Sequence, residues 1–171
     1  MKFISLLFLA VFFFTSSVSA LELRSDAFED GEFIPERYTC KGEDVSPSLS
    51  WSGVPKGTKS FVLIMDDPDA PFGTWIHWVI YNIPADTTSF EEGVPNELVL
   101  EGGMKQGINS WRRAGYGGPC PPPGPAHRYI FKLYAVDTVP DLLPAATKRA
   151  VLQAIQGHIL EMAQLIGLFK R

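Results

Sequence analysis

One short segment of the sequence, DDPDAPFGTWIHW at residues 66–78, places three aspartates within four positions and a histidine soon after them. Asp67 and Asp69 are two residues apart on a proline-bounded turn, and extended backbone there would point both carboxylates to one side. A carboxylate that accepts from one imidazole nitrogen fixes the tautomer and leaves the other nitrogen to meet a ligand. The segment therefore predicts a site in which carboxylates orient His77 toward an anion, or face outward to meet a ligand ammonium.

A second polar cluster, His127 and Tyr129, stands at the start of another predicted strand, where alternation puts both on one face. The preceding residues 101–126 include seven glycines and five prolines, which indicates a shaped loop rather than a flexible linker. Two histidines, two carboxylates and a tyrosine would then meet where strands join this loop. Each part alone is typical of ordinary structure: a satisfied buried histidine, a solvated aspartate turn, a rigid proline connector.

The elements that must position these residues are mainly strands. Strand patterns occur in five stretches, at 21–28, 49–51, 59–66, 75–84 and 128–137. The third and fourth are apolar on both faces, as expected of central strands that are covered on both sides. In the fourth, regular alternation would place His77 on the same face as Trp75, Val79 and Tyr81.

The hydrophobic period changes to three and four residues after Pro144, which predicts an amphipathic helix with Thr147 as its cap and Gly157 as a break point. The apolar positions of this pattern are Val151, Leu152, Ile155, Ile159, Met162, Ala163 and Ile166. Strands followed by a helix indicate a mainly β domain with a C-terminal helix packed on one side. No repeat or linker divides residues 21–171, so we expect a single domain.

Two motifs of the chain resemble the signature segments of the phosphatidylethanolamine-binding protein family, also called Raf-kinase-inhibitor-like. They are DPDAP followed by HW, and YGGPCPPPGPAHRYIFKLYA. The resemblance extends over residues 21–171 and is to the bacterial and archaeal branch. It implies a mainly β fold, an antiparallel β-sandwich-like core with a C-terminal α-helix.

The resemblance also implies a small pocket for phosphate, phosphoethanolamine head groups or phosphorylated side chains. Carried over by motif, the ligand-binding residues are Asp67, Asp69, His77, Gly117, Gly118, Pro119, His127 and Tyr129. Two departures concern the pocket rim, and so ligand selectivity: Trp111, Arg112 and Arg113 replace a stretch that is often smaller or acidic, and PPPGPAH is one residue longer than the commoner pattern.

The function expected from these features is binding of a small phosphorylated or otherwise anionic ligand, without a cofactor. The resemblance also implies a role as an inhibitor of kinases or proteases, but the sequence identifies no target. One alternative is a hydrolase or isomerase that uses a His–Asp pair as general base, although no G-x-S-x-G nucleophile motif is present, so we expect no enzyme. Another is a metal site, because His77, His127, Asp67 and Asp69 form a two-histidine, two-carboxylate set.

The first 20 residues have the pattern of a signal peptide: Lys2, an apolar stretch at 4–14, and Val18-Ser19-Ala20 as the cleavage motif. A membrane anchor is the alternative, but the apolar stretch is shorter than the roughly 20 residues a spanning helix needs. The sequence thus predicts a periplasmic or secreted protein with no transmembrane segment after cleavage; dimerisation is left open.

Charge and cysteines complete the sequence-based expectations. The formal net charge is -4, and loss of Lys2 with the signal peptide would make it -5; without a Lys/Arg run, this indicates no nucleic-acid partner. The two cysteines, Cys40 and Cys120, would pair as a disulfide in an oxidising compartment, the alternative being two separate buried thiols.

Overall fold

The strands of the protein form two antiparallel sheets, seen in a computed structural model that describes residues 20–171. The strands are β1 (Glu22–Arg24), β2 (Leu49–Ser52), β3 (Ser60–Asp67), β4 (Trp75–Pro84), β5 (Ser89–Phe90), β6 (Lys105–Gln106), β7 (His127–Val136) and β8 (Ile159–Phe169). One α-helix, α1 (Lys148–Ala154), precedes β8, and 3-10 turns occur at Glu36–Tyr38 and Glu101–Gly103. The prediction of a mainly β, antiparallel sandwich-like fold with a C-terminal helix is confirmed.

The main core lies between the two sheets. The small sheet has the order β1-β2-β5 and the large one β6-β4-β3-β7-β8. Trp51 of β2 packs edge-on against Phe61 of β3 and Phe90 of β5, with ring centroids 5.6 and 5.3 Å apart. Aromatic pairs in this geometry contribute beyond the area they bury. The long central strand β3 is buried along its whole length, as its uninterrupted apolar sequence predicts.

A smaller core lies on the other face of the large sheet, where α1 covers it. Val62 and Ile64 of β3 pack there with Val151 and Ile155. The Thr147 hydroxyl accepts a hydrogen bond from the Ala150 N–H at 3.2 Å, which confirms Thr147 as the N-cap.

The helix predicted after Pro144 is much shorter than its periodic pattern. It ends at Ala154, Gly157 adopts a φ of 82°, and residues 159–169 form the edge strand β8 paired with β7. The extension of the helix through Ile166 was therefore wrong. The same sequence also alternates, and tertiary packing selects that alternation: the buried side of β8 consists of Ala163, Leu165, Gly167 and Phe169.

A β-bulge in β4 changes which residues face the site. Met65 pairs with Trp78 and Asp66 pairs with Ile76, so His77 is the extra residue between the two pairs. The bulge reverses the alternation, and the His77 ring meets Tyr129 rather than the face that holds Val79. The expectation that His77 shares a face with Val79 and Tyr81 was therefore wrong, because it assumed an unbroken strand.

Candidate functional site

A buried carboxylate–imidazole pair joins the ends of two neighbouring strands of the large sheet. Asp67, the last residue of β3, accepts from His127 Nδ1 at 2.8 Å, and their side chains are 5% and 9% exposed. The other Asp67 oxygen accepts the Asp69 N–H at 2.8 Å, which holds the turn after β3. Because the Asp67 carboxylate accepts a hydrogen bond from Nδ1–H, Nδ1 keeps its proton and Nε2 is the ring nitrogen left for a ligand.

The second histidine is anchored to the backbone of the glycine-rich loop. His77 Nδ1 lies 2.6 Å from the Gly117 carbonyl oxygen, and the residue is 2% exposed. Its ring is edge-on to Tyr129 and to Trp111, with centroids 5.1 and 5.0 Å away. Burial lowers the pKa of His77 below 6.5, and this outweighs the Gly117 carbonyl and the nearby Asp67 charge, which act in the opposite direction.

Tyr129 supplies a hydroxyl behind the two histidines. The residue is fully buried, and its oxygen has no hydrogen-bond partner within residues 20–171. Burial raises the pKa of Tyr129, and the Asp67 charge adds to the rise; the Cys120 N–H opposes it, although it does not meet hydrogen-bond geometry. The phenol therefore keeps its proton and can act as a donor.

The other two aspartates of the opening segment point away from this pair. Asp69 binds Arg128 through two side-chain contacts, of 2.9 and 2.7 Å, and through the Arg128 N–H at 2.9 Å. These hydrogen bonds lower the pKa of Asp69 from 3.8 to about 2. Asp66 lies on the opposite face of the sheet, buried, with Lys148 Nζ at 2.6 Å and Lys132 Nζ at 3.5 Å. Asp69 thus fixes the turn through Arg128 and does not line the cavity beside Asp67.

The loop glycines use their own N–H groups inside the protein. Gly117 N–H donates to the His77 carbonyl at 3.1 Å, and Gly118 N–H donates to Asp44 Oδ1 at 2.6 Å. Pro119 has no N–H, and its carbonyl accepts from Cys40 N–H at 3.2 Å. A Cβ on Gly118 would lie 2.5 Å from the Tyr38 carbonyl oxygen, so the close approach requires glycine there. These three residues hold the wall that positions His77.

Asn109 shapes the segment that brings Trp111 to the site. Its buried side chain accepts from the Trp111 and Arg113 N–H groups at 3.0 and 3.3 Å and donates to the Gly115 carbonyl at 3.1 Å. The Trp111 ring is also edge-on to Trp75, with centroids 5.4 Å apart. Asn109 therefore acts as the internal support of a tight loop, in the way asparagine commonly does in turns.

The predicted disulfide is present. Cys40 and Cys120 are bonded, with Cα atoms 5.4 Å apart and a separation of 80 positions in sequence. The bond ties the turn after Glu36–Tyr38 to the loop that contains Cys120, so neither cysteine is a free nucleophile.

The carboxylate and the two imidazoles described above face a cavity of about 360 Å³, which is within the size range of small-molecule sites. Asp67, His77 and His127 form its polar floor. Its remaining walls are apolar: Ala70, Pro71, Phe72, Trp75, Trp111, Cys120, Pro121 and Pro122. A larger groove of about 480 Å³ runs beside α1, but its lining includes no histidine or carboxylate. The cavity at the strand ends is therefore the candidate site.

The aromatic rim is the most exposed apolar surface next to the cavity. Phe72 is fully exposed, and Trp75 and Trp111 are 37% and 39% exposed. Arg113 lies over the Trp111 ring, its guanidinium carbon 5.7 Å from the ring centroid, and Arg171 Nη1 is 3.8 Å from Cys120 Sγ. The rim therefore combines aromatic surface with positive charge.

The comparison with protein families agrees with this geometry. The family model for phosphatidylethanolamine-binding proteins matches residues 24–170. The chain belongs to that family. Among relatives, a UPF0098 protein of Methanothermobacter thermautotrophicus is 56% identical over 151 residues, which cover 88% of this chain and 99% of the relative. A UPF0098 protein of Aquifex aeolicus is 49% identical and covers 92% and 93%.

Solved structures give the same fold for phosphatidylethanolamine-binding protein homologues. A homologue from Chlamydia trachomatis is 40% identical, with a TM-score of 0.82, covering 89% of this chain and 98% of the other. YbcL of Escherichia coli is 32% identical, with a TM-score of 0.83, covering 90% and 99%. The bacterial and archaeal resemblance predicted from the two motifs is confirmed.

Sequence reasoning missed several residues that build the site. Phe72 gave no signal beyond its place directly after Pro71, and Trp75 was placed only on a strand face. The sequence also gave no signal for Asp44 or Asn109. Asp44 accepts from Gly118, which is distant in sequence, and Asn109 bonds to groups within its own buried loop. Trp111 was noted only as a departure from the family pattern.

Two further observations concern the described residues alone. Residues 20–171 contain no group of three or more histidine, cysteine or acidic side chains placed to hold a metal ion, so the geometry gives the metal alternative no support. Asp69 and the Asp67–His127 pair do not converge on one point, because Asp69 is directed to Arg128.

Within the same range, none of the helical segments has the length and apolarity to cross a membrane.

Proposed function

We propose that this protein binds a small phosphate monoester whose substituent is aromatic or apolar, and that it acts as a binding protein rather than an enzyme. The observation that carries the proposal is the buried Asp67–His127 pair, whose free Nε2 faces a cavity of ligand size. A carboxylate behind an imidazole balances the charge of its doubly protonated form, so Nε2 can donate to an anion. The Tyr129 hydroxyl lies behind the two histidines and does not line the cavity, so it supports the His77 ring rather than contacting the ligand.

The walls of the cavity argue for the substituent. Phosphate alone would leave Phe72, Trp75 and Trp111 exposed around it. An aryl group attached to the phosphate would bury part of this surface and meet the rings edge-on or offset, arrangements that aromatic pairs prefer. Phosphotyrosine fits that description better than phosphoethanolamine, because the short ethanolamine chain would bury less of the aromatic surface and Asp67, the carboxylate in the cavity, is already paired with His127.

Export and regulation complete the proposal. The N-terminal pattern supports delivery to the periplasm or the exterior, where the Cys40–Cys120 bond is stable. Inhibition of a kinase or protease, which the family resemblance implies, would place a phosphorylated side chain of the target in the cavity.

Isothermal titration calorimetry of the 21–171 protein tests the binding proposal. We expect phosphotyrosine to bind more tightly than phosphoethanolamine or inorganic phosphate. His127→Gln should weaken phosphotyrosine binding about tenfold or more, the usual effect of losing a charge-assisted hydrogen bond. His158→Gln, which changes an exposed histidine paired with Asp137, is the matched control and should leave the affinity unchanged.

Replacing Trp111 with alanine separates the rim from the anion contacts. This change should remove most of the advantage of phosphotyrosine over inorganic phosphate while phosphate itself still binds. Equal affinity of the unchanged protein for all three ligands would contradict the role of the rim. No binding of any of them would contradict the proposed function.

A further inference from the structure

The two histidines of the cavity present opposite hydrogen-bonding groups to a ligand. A carbonyl oxygen can only accept, so His77 Nδ1, 2.6 Å from the Gly117 oxygen, must carry a proton. His77 is 2% exposed, and taking up a second proton there would charge a buried ring. Its Nε2 therefore offers a lone pair, and no group among residues 20–171 donates to it. The doubly protonated form of His127, whose charge the Asp67 carboxylate balances, offers Nε2–H as a donor instead.

Acidic groups lie near His77 on several sides. Asp67 faces it from β3 and Asp44 from the loop beyond Gly118, Tyr129 lies against its ring from β7, and Asp66 acts through the sheet. All three aspartates favour a charged His77, but burial is the larger effect and keeps the pKa of His77 below 6.5. Each of these carboxylates also has a cationic or imidazole partner of its own: Asp66 has Lys148, Asp67 has His127 and Asp44 has Arg113.

A ligand that satisfies the His77 Nε2 acceptor must therefore bring a proton of its own. Resting on the function proposed above, we infer that the site selects the singly protonated form of a phosphate monoester. Its P–OH donates to His77 Nε2, and an unprotonated oxygen accepts from His127 Nε2. A sulfate monoester has the same shape and a single charge but no proton, so it leaves His77 Nε2 unpaired.

The experiment compares phenyl phosphate with phenyl sulfate on the 21–171 protein by isothermal titration calorimetry. At about pH 5.5, below the second phosphate pKa of about 6, both ligands are mainly monoanions. We expect phenyl phosphate to bind roughly tenfold or more tightly, the effect of one buried unpaired acceptor. At about pH 8 phenyl phosphate has lost its proton, and the ratio of the two affinities should fall toward one or below.

The ratio of the two affinities is the informative quantity because both ligands share the contact with His127, and a change in that contact affects both affinities alike. Phenyl sulfate binding within about threefold of phenyl phosphate near pH 5.5, or a ratio that does not change with pH, would overturn the inference while anion binding stands. Failure of both ligands to bind at either pH would instead remove the proposed function itself. The two failures are therefore distinguishable.

A variant tests the residue directly. His77→Gln introduces an amide that can turn either its oxygen or its nitrogen toward the ligand. We expect it to bring the affinity ratio near pH 5.5 close to one while both ligands still bind. A ratio unchanged from that of the original protein in a folded His77→Gln variant would show that the discrimination arises elsewhere and overturn the assignment. The two-ligand comparison on the unchanged protein decides the matter even if this variant does not fold.

Discussion

At the scale of single residues, the three aspartates of one short motif have three separate tasks. Asp66 pairs with lysines behind the sheet, Asp67 orients His127, and Asp69 binds Arg128. Alternation along β3 sends Asp66 and Asp67 to opposite faces, and the turn then directs Asp69 outward. The carboxylates beside an anion cavity are therefore not exposed to the anion together; only Asp67 lines it, and it is paired.

The Asp69–Arg128 ion pair predicts a specific dependence of stability on pH. Arg128 lowers the pKa of Asp69 from 3.8 to about 2, so the pair stabilises the fold above about pH 4 and its contribution is lost as the pH falls toward 2. Because both side chains are substantially exposed, Asp69→Asn should lower the free energy of unfolding at neutral pH by no more than about 1 kcal/mol.

Urea unfolding of Asp69→Asn between neutral pH and pH 2 measures this effect. The difference from the unchanged protein should shrink through that window. Asp86→Asn, at an exposed position, is the matched control and should change little at any pH. A destabilisation by Asp69→Asn that is the same at pH 7 and pH 2 would contradict the ion-pair account.

At the scale of elements, the site depends on a loop fixed at several points. The Gly117–Pro119 backbone holds His77 on one side and is held by Asp44 and Cys40 on the other. The disulfide adds a covalent constraint to this wall, and Cys120 itself lines the cavity. Loosening the wall should therefore affect binding as well as folding.

Replacing both cysteines with serine tests that constraint. For a bond that closes a loop of this length, we expect a loss of about 2–4 kcal/mol in the free energy of unfolding, measured by urea denaturation. Phosphotyrosine affinity should fall as well, because the wall that positions His77 loses one of its attachments. The unchanged protein, oxidised and then reduced, is the control, and identical urea midpoints of its two forms would contradict the expectation.

The elements also show what the sequence could predict. Three of the four long strands were predicted within about a residue, because β3, β4 and β7 combine apolar content with clear boundaries. Strand β8 was not, since ILEMAQLIGLF satisfies both a helical and an alternating pattern, and only its pairing with β7 decides between them. The bulge at His77 and the Asp44–Gly118 bond depend on contacts between distant segments, which local patterns do not contain.

At the scale of the whole molecule, the residue that follows the predicted processing site, Leu21, is anchored to the large sheet. Ala20 is exposed, whereas Leu21 is 6% exposed, and its N–H donates to Glu161 Oε1 of β8 at 2.9 Å. Removal of the first 20 residues, which we propose, would turn that N–H into an α-ammonium beside a carboxylate. An ion pair would then join the new N-terminus to the edge strand of the large sheet.

Glu161→Gln in the protein that begins at Leu21 tests this arrangement. The change keeps an acceptor but removes the charge, and we expect a loss of up to about 1 kcal/mol in the free energy of unfolding. The contribution should be present at neutral pH and lost as the pH rises above the α-amino pKa of about 8. Glu29→Gln, at an exposed glutamate, is the control. An equal effect of Glu161→Gln when the N-terminus is acetylated would contradict an ion pair.

The whole chain also concentrates positive charge where the proposed ligand enters. The formal net charge is -4, yet Arg113 and Arg171 lie beside the rim and Arg128 beside the first turn of the site. Local cationic groups on an acidic molecule favour approach of an anion to this end, an effect that salt weakens.

The most direct test of the central claim is a titration of the 21–171 protein with phosphotyrosine, followed through the ring nitrogen and carbon-bound proton signals of its three histidines by NMR. The account predicts saturable shifts with a common dissociation constant for His77 and His127, and none for His158, which lies with Asp137 outside the cavity. Absence of shifts at His77 and His127, or equal shifts at all three histidines, would contradict a phosphate monoester site at the ends of β3, β4 and β7.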